Sequence, residues 1–331
     1  MKTIYVVDLA PSMNITNEGF AIKSVELSQT KDNKPFYKLV LMDKTGEIKG
    51  QIWSDSLKRI EKKTLKAGNV VLIDAIVEDY RGTLQMNVFN AQMVDETSLS
   101  EYMEASDFKI DDLWEEFVKF IDSIKSPVLK GFLHKLFNDE ETARKYKTYP
   151  AAEFVHHSFR GGLLEHVVEM LNCSVPLKRF YPEANFDFVT AGIILHDIGK
   201  LFELEPVGVS VQRTTEGYLI GHLVKSYEVV LQKGTDLDDN TRLNLRHIIL
   251  SHHGLLEFGS PVLPATIEAV IVSYLDQLSS QTRIYQKVIR KNSANTQDFA
   301  EYDKIIGAKV YLGNKIKNQQ EQEQNSEQTV L

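Results

Sequence analysis

The chain has 331 residues, 43% of them apolar and 25% charged, enough for two ordinary domains with cores of their own and unlike wholesale disorder or a fibrous repeat. It holds one cysteine, Cys173, so neither a disulfide framework nor a cysteine-rich zinc site is available, and any metal has to be held by His, Asp and Glu. Thirty-eight Lys+Arg against 46 Asp+Glu give a formal charge of -8, which argues against a protein that coats nucleic acid by bulk electrostatics.

The imbalance is uneven. Residues 1 to 96 carry 13 basic and 13 acidic side chains and the rest carry 25 and 33, so a polyanion contact has to be a local groove, aided by cations that offset carboxylates. The start, Met1 to Asp8, is too briefly apolar for a signal peptide, and no apolar run reaches the ~18 residues of a membrane span. A soluble, cytoplasmic protein is expected.

From about Gly19 to Val94, short β-rich runs alternate with turn chemistry: Phe20 to Leu27, Phe36 to Met42, Ile48 to Trp53, Val70 to Val77 and Thr83 to Phe89. Asp43-Lys44-Thr45-Gly46 reads as a hairpin in which Gly46 can take positive φ. Ser54 to Lys62 has a short helical pattern between the third and fourth runs. Five strands with a helix at that point resemble an OB-fold barrel, a scaffold that lays single-stranded nucleic acid on exposed aromatics beside Lys and Arg. Phe20, Phe36, Tyr37, Trp53, Tyr80 and Phe89 are the candidate platforms, with Lys34, Lys38, Lys49 and Arg81 nearby; the alternative for any one ring is barrel core.

Asp111 to Asn138 is helical, with Leu113, Phe117, Phe120, Ile121 and Ile124 on one side and Val128, Phe132, Leu133 and Leu136 after Pro127. It reads as a connector. From Ala151 to Ile289, helix follows helix: Leu163, Val167, Met170 and Leu171 mark one apolar face, and Phe188, Ala191, Leu195 and Ile198 the next. Pro264 suits the first position of a further helix. Residues 315 to 331, rich in Gln, Glu, Asn and Lys, read as a flexible tail.

Five of the nine histidines and two aspartates form a spaced series on this helical half: His166, His196-Asp197, His222, His252-His253 and Asp276. Each group lies in a separate segment, so a bundle can converge them on one interior point. Unpaired imidazoles and carboxylates in an apolar interior cost several kcal/mol or shift their pKa, and a divalent metal resolves the conflict. Neutral imidazole with carboxylate suits Mn²⁺, Fe²⁺, Zn²⁺, Co²⁺ or Ni²⁺. Seven ligands exceed one ion and fit two. A lone inward histidine is more often a hydrogen-bonded core residue; the joint series is what points to metal. His134 and His247 read as structural and Cys173 as a small core residue. Tyr227 and Tyr274 are either core or base-stacking.

The series resembles the HD-domain metal-dependent phosphohydrolase superfamily. With a barrel ahead of it, and with His156 to His166 reading HHSFRGGLLEH, it more closely resembles the YhaM-type 3′-to-5′ exoribonucleases. The resemblance covers nearly the whole chain apart from the tail. It implies a multidomain fold, an N-terminal all-β OB-fold barrel (1–96, nucleic-acid-binding) and a connector (97–150) followed by an all-α HD helical bundle (151–300) and a C-terminal extension (301–331). It implies one metal on His166, His196, Asp197 and Asp276 and a second on Asp197, His222, His252 and His253, with Asp197 bridging at roughly 3.5 to 4 Å. Whether His252 and His253 both coordinate, or one meets phosphate, stays open.

The implied reaction is attack on phosphorus by a water acidified between two cations, with Mn²⁺ foremost and Mg²⁺ also possible, releasing nucleoside monophosphates from single-stranded RNA. Single-stranded DNA is a second substrate candidate; a membrane is not a partner. A homo-oligomer is an open option. Lys200 is a candidate for a non-bridging oxygen, or else a helix-end lysine favourable to the dipole. Arg160 and His157 are candidates for holding phosphate, or else for orienting the ligands. Competing functions are hydrolysis of a small nucleotide or cyclic dinucleotide, and a nucleic-acid-binding protein with structural metals.

Overall fold

The computed structural model describes residues 2–80, 82–94, 101–102, 106, 108–152, 159–292 and 297–313, the side chains of Ser210 and Lys291 excepted. Arg81, His156, His157 and the expected tail from 315 lie outside the described residues.

Five strands form a closed barrel: β1 (Asn14–Gln29), β2 (Pro35–Asp43), β3 (Gly46–Ile52), β4 (Val70–Tyr80) and β5 (Thr83–Met93). Their order is β1-β2-β3-β5-β4, closed by β1 against β4, with β3 and β5 parallel. Alternation of buried and exposed positions along β2 and β4 puts Leu39, Leu41, Ile73, Ala75 and Val77 inside with Ile15, Ile22, Ile52, Met86 and Val88. β1 starts six residues earlier than its alternation suggests. Register shifts between Ile15 and Glu18 and between Ile22 and Ser24 break the period of two there, with Asn17 at φ 51°; such bulges bend the strand so that it pairs with both β2 and β4. The Asp43–Gly46 turn forms as read, but Gly46 does not use positive φ. The expected helix from Ser54 to Lys62 is a single 3-10 turn, Ser56–Lys58; the chain turns again beyond it, where the Asn69 amide donates to the carbonyls of Lys63 and Thr64.

The N-terminal segment packs beneath the barrel. The Lys2 ammonium is buried 3.1 Å from Asp43 Oδ2, donates to Gly19 O at 2.6 Å and lies 3.7 Å from the Phe20 ring centre. The Glu18 carboxylate accepts from the Thr3 hydroxyl and from the backbone N–H groups of Thr3 and Ile4.

The helical half comprises α1 (Ile110–Ser123), α2 (Pro127–Phe137), α3 (Glu140–Thr148), α4 (Gly162–Ser174), α5 (Phe186–Leu195), α6 (Lys200–Glu203), α7 (Thr215–Leu219), α8 (His222–Lys233), α9 (Asp239–Ser251) and α10 (Ile267–Lys291). It is not all-α. A hairpin of β6 (Leu204–Val207) and β7 (Ser210–Arg213) follows α6, and a second, β8 (Phe299–Asp303) with β9 (Ala308–Tyr311), packs Ala300 and Val310 on Val288 of α10. Short polar-flanked strands of four or five residues escape a helical reading of this region.

Helices α1 to α3 share one core with the rest. Phe117, Phe137 and Tyr146 meet ring to ring, and the buried Tyr146 hydroxyl donates to Ile194 O of α5 at 2.8 Å. On α2 the inward residue is Leu129; Val128 is 53% exposed. The expected helix start at Pro264 lies three residues upstream of α10, because the Thr266 side chain caps that helix by accepting from Ala269 N. Cys173 falls on the outer side of α4 and is exposed.

The β6–β7 hairpin reaches from the end of α6 to the barrel. Val209 N donates to Gly68 O at 3.4 Å, and Val209 is buried with Ala21, Val70 and Tyr102. The approach needs glycine on both sides: a Cβ at Gly68 would lie 2.3 Å from Val207 O, and one at Gly208 would lie 2.2 Å from Gly68 O.

Candidate metal centre

The seven side chains of the spaced series converge. His166 projects from the middle of α4; His196 caps the end of α5, and Asp197 follows it into the turn before α6; His222 opens α8; His252 caps α9 with His253 beside it; Asp276 lies mid-way along α10. His166 Nε2 lies 3.3 Å from Asp276 Oδ1 and 3.4 Å from His196 Nε2, which is 3.3 Å from Asp197 Oδ2. The other Asp197 oxygen, Oδ1, is 3.5 Å from His222 Nε2 and 3.8 Å from His252 Nε2, and His222 and His253 bring their Nε2 atoms to 3.3 Å. Three sets fall within coordination range of a common point: His166, His196 and Asp197; His196, His252 and Asp276; His222, His252 and His253.

Each ring is oriented by its other nitrogen. His196 Nδ1–H donates to Ile193 O at 2.7 Å, His252 Nδ1–H to Ile249 O at 2.7 Å and His253 Nδ1–H to Phe258 O at 2.9 Å. His222 Nδ1–H donates to the Glu203 carboxylate at 2.6 Å, and His166 Nδ1 bonds Ser279 Oγ at 2.9 Å. With the proton on Nδ1, the Nε2 lone pairs face inward. Two lone pairs 3.3 Å apart repel, and Asp197 Oδ1 is buried without a hydrogen bond. A pocket so rich in electron pairs and so poor in donors fits divalent cations.

Charge agrees with that fit. Burial alone would raise the Asp197 carboxyl, but Lys200, His196 and His222 hold it well below the carboxylate range. Burial would raise Asp276 as well, but the nearby His166 and His196 rings hold it low. Burial and His196 depress His252, and burial and His222 depress His253, so both rings are neutral and free to ligate. His196 is pushed up despite burial by Asp197, so a cation bound at that nitrogen would have to displace a proton.

Local backbone holds the two sides of the centre together. Ser226 Oγ on α8 donates to His196 O and accepts from Gly199 N, both at 2.8 Å. A Cβ on Gly199 would lie 2.1 Å from His222 O. Sequence reasoning missed Glu203, Ser226 and Ser279. Glu203, in the run Lys-Leu-Phe-Glu-Leu-Glu-Pro, has no periodic mark that separates it from a surface acid, yet it is buried, holds His222 and pairs with Arg213 at 3.3 Å.

A cleft of about 260 Å³ opens on the centre, lined by Asp197, Lys200, His252, His253 and Asp276 together with Phe258, Gln277, Ser280 and Gln281. Lys200 contacts Asp197 Oδ2 and lines the cleft. Arg160 is exposed and is not among the lining residues. His134 pairs with Asp122 at 2.9 Å, and His247 accepts from Ala265 N at 2.9 Å. The Tyr227 hydroxyl accepts from Arg246 beside the core, whereas Tyr274 is 69% exposed. On the barrel, Phe20 is fully buried and drops out as a base platform. Phe36 is buried with its ring stacked on the partly exposed Trp53, centroids 4.9 Å apart; Tyr37 packs on the core, and Tyr80 and Phe89 are exposed. Lys34, Lys38 and Lys49 are exposed nearby in sequence. No helix among the described residues is long and apolar enough to cross a membrane.

Residues 163–281 match the HD domain family. The 3′-5′ exoribonuclease YhaM of Geobacillus sp. (strain WCH70) is 32% identical over 275 residues, covering 82% of this chain and 83% of that protein. Among solved structures, the second OB-fold domain of replication protein A from Methanococcus maripaludis is 21% identical over 30% of this chain and 99% of that domain, with a TM-score of 0.23. An OB domain from Thermoplasma acidophilum is 19% identical over 29% of this chain and 89% of its own, with a TM-score of 0.22.

Proposed function

The chain belongs to the YhaM family of HD-domain exoribonucleases, and from that premise we propose that it removes nucleoside monophosphates from the 3′ end of single-stranded RNA at a dinuclear metal centre. It is a hydrolase by family. The observation that carries the two-metal reading is Asp197: both of its oxygens face imidazole nitrogens, His196 on one side and His222 and His252 on the other, and Oδ1 is buried without a hydrogen bond.

His166, His196, Asp197 and Asp276 would hold one ion, and Asp197, His222, His252 and His253 the other. Bound there, divalent cations supply Lewis acidity, acidifying water for attack on phosphorus and offsetting charge that develops on the phosphoryl oxygens. The chain's own groups do the rest. The Nδ1 bonds fix each ring before substrate arrives, so no reorganisation is needed at the moment of reaction. Lys200, between Asp197 and the cleft, directs an ammonium at the phosphate position. No side chain needs to act as nucleophile. On the barrel, Trp53, Tyr80 and Phe89 offer faces on which upstream bases stack, and that second anchor keeps the shortened strand bound between cuts.

Incubating the purified chain with 5′-labelled single-stranded RNA and Mn²⁺ tests the reading. Products that shorten stepwise from the 3′ end are expected. Intact RNA alongside hydrolysed cyclic dinucleotides or nucleoside triphosphates would replace it with a small-nucleotide phosphohydrolase, and binding without turnover with a structural metal site.

A further inference from the structure

The cleft over the metal centre is chemically two-sided. Its charged lining, Asp197, Lys200 and Asp276, lies with the ligands; beyond Asp276, the flank supplied by α10 is neutral, with Gln277, Ser280 and Gln281, and the lip at the 3-10 turn Leu256–Phe258 is an aromatic ring. That flank offers no cation for a phosphate. It offers carboxamides, a hydroxyl and a phenyl face, the groups that meet a sugar and a base.

Gln277 is held in a definite pose. Its amide nitrogen donates to Ser273 Oγ at 3.3 Å, one turn back along α10. Gly254, directly after the two ligand histidines, gives it room: a Cβ there would lie 2.8 Å from that nitrogen and 2.7 Å from Ser273 Oγ, at a backbone φ of 81°. With Nε2 engaged, Oε1 is left as the acceptor, and no hydrogen bond reaches it among the described residues. Gln281 follows one turn later on the same face, exposed, its amide unengaged among the described residues. Phe258 is 57% exposed, although its own carbonyl anchors His253, so the ring stands at a fixed place beside the centre. At about 260 Å³ the cleft is near the small end of ligand sites, room for one nucleotide unit.

We propose that this flank seats the terminal nucleoside of the strand: Gln277 and Gln281 read its ribose hydroxyls, the 2′-hydroxyl above all, and Phe258 stacks on its base. The assignment rests on the exoribonuclease reading and adds to it the residues that tell a ribonucleotide end from a deoxyribonucleotide end. A carboxamide oxygen accepts from a 2′-hydroxyl; a deoxyribose leaves it unpaired. A ring face accepts any base, so the lip adds affinity without choosing sequence.

The test is equilibrium binding of adenosine 5′-monophosphate and its 2′-deoxy counterpart to the Mn²⁺-loaded protein, measured by calorimetry. The wild type is expected to prefer the ribonucleotide by about 2- to 12-fold, the range of one neutral hydrogen bond. Gln277→Ala and Gln281→Ala should erode that preference by weakening the ribonucleotide alone, and Phe258→Ala should weaken both ligands alike. Gln281→Ala sits at an exposed position where folding is not at stake, and Mn²⁺ titration of each variant reports an intact centre. A preference unchanged in both glutamine variants, or an equal loss for both ligands, overturns the assignment. The exoribonuclease reading stands or falls separately, on whether the wild type shortens labelled RNA from its 3′ end.

Discussion

The barrel and the helical half put their chemistry in opposite places. The barrel core is apolar, and what it has to offer a partner, Trp53, Tyr80, Phe89 and the lysines, is on its surface. The helical half buries its polar groups at the centre of its own core, where His166 and His196 lie fully enclosed amid Leu163, Ile194 and Val272. In the barrel, then, exposed rings such as Tyr80 and Phe89 can be changed with little effect on the apolar core. In the helical half the same side chains are packing and chemistry at once, so effects there are steep and shared.

The largest expected effect follows from that contrast. Asp197→Asn should lower turnover on RNA by on the order of 10³-fold or more, while the affinity for single-stranded RNA, measured by fluorescence anisotropy, stays within a few-fold. A parallel loss of both in a folded variant would break the division of labour. Next, Glu203→Gln removes the carboxylate that orients His222 without removing a ligand. Metal affinity should fall by about 10- to 100-fold in a calorimetric Mn²⁺ titration, with the barrel indifferent.

On the barrel side, Trp53→Ala should weaken a strand by about 1–3 kcal/mol for the base it carries. The effect should appear as a raised KM on long RNA and vanish on a dinucleotide too short to span both regions; equal effects on the two substrates would remove the anchor.

The smallest effect is on acid stability. Although burial opposes it, hydrogen bonds from Thr3 and Gly19 hold the Glu18 carboxyl below its ordinary value near 4.5. A depressed folded-state pKa stabilises above the unfolded value and ceases to do so as pH falls through the folded one. Thermal melts should therefore show wild type above Glu18→Gln at neutral pH, with the gap closing below pH 4.5. A gap that does not change with pH would mean that the charge is not what Glu18 contributes.

What could be read from the sequence divides along the same line. The seven converging side chains were legible because charged and imidazole groups recurring in apolar helical segments contradict their surroundings, and the contradiction itself carries information. Five strands were legible from alternation. What was not legible depends on contacts distant in sequence: Glu203 and Ser279 look like surface residues until the fold brings His222 and His166 to them. Pro264 lost the helix start to Thr266 by one side-chain bond, and at the start of α2 two adjacent apolar residues, Val128 and Leu129, are equally consistent with the spacing to Phe132, although only Leu129 is buried. Phe20 shows the reverse: a ring type suited to stacking, spent on the barrel core.

Gly199 sits in ordinary helical geometry, φ -62° and ψ -19°, so nothing in the backbone asks for glycine. Clearance does. A Cβ there would lie 2.1 Å from the His222 carbonyl oxygen and 2.7 Å from the Ser226 amide nitrogen, so only a hydrogen fits between this turn and the start of α8. One added methyl would act as a wedge, pushing α8 outward and parting His222 from Asp197, so the 3.5 Å approach of those two side chains is gauged by the smallest side chain in the molecule.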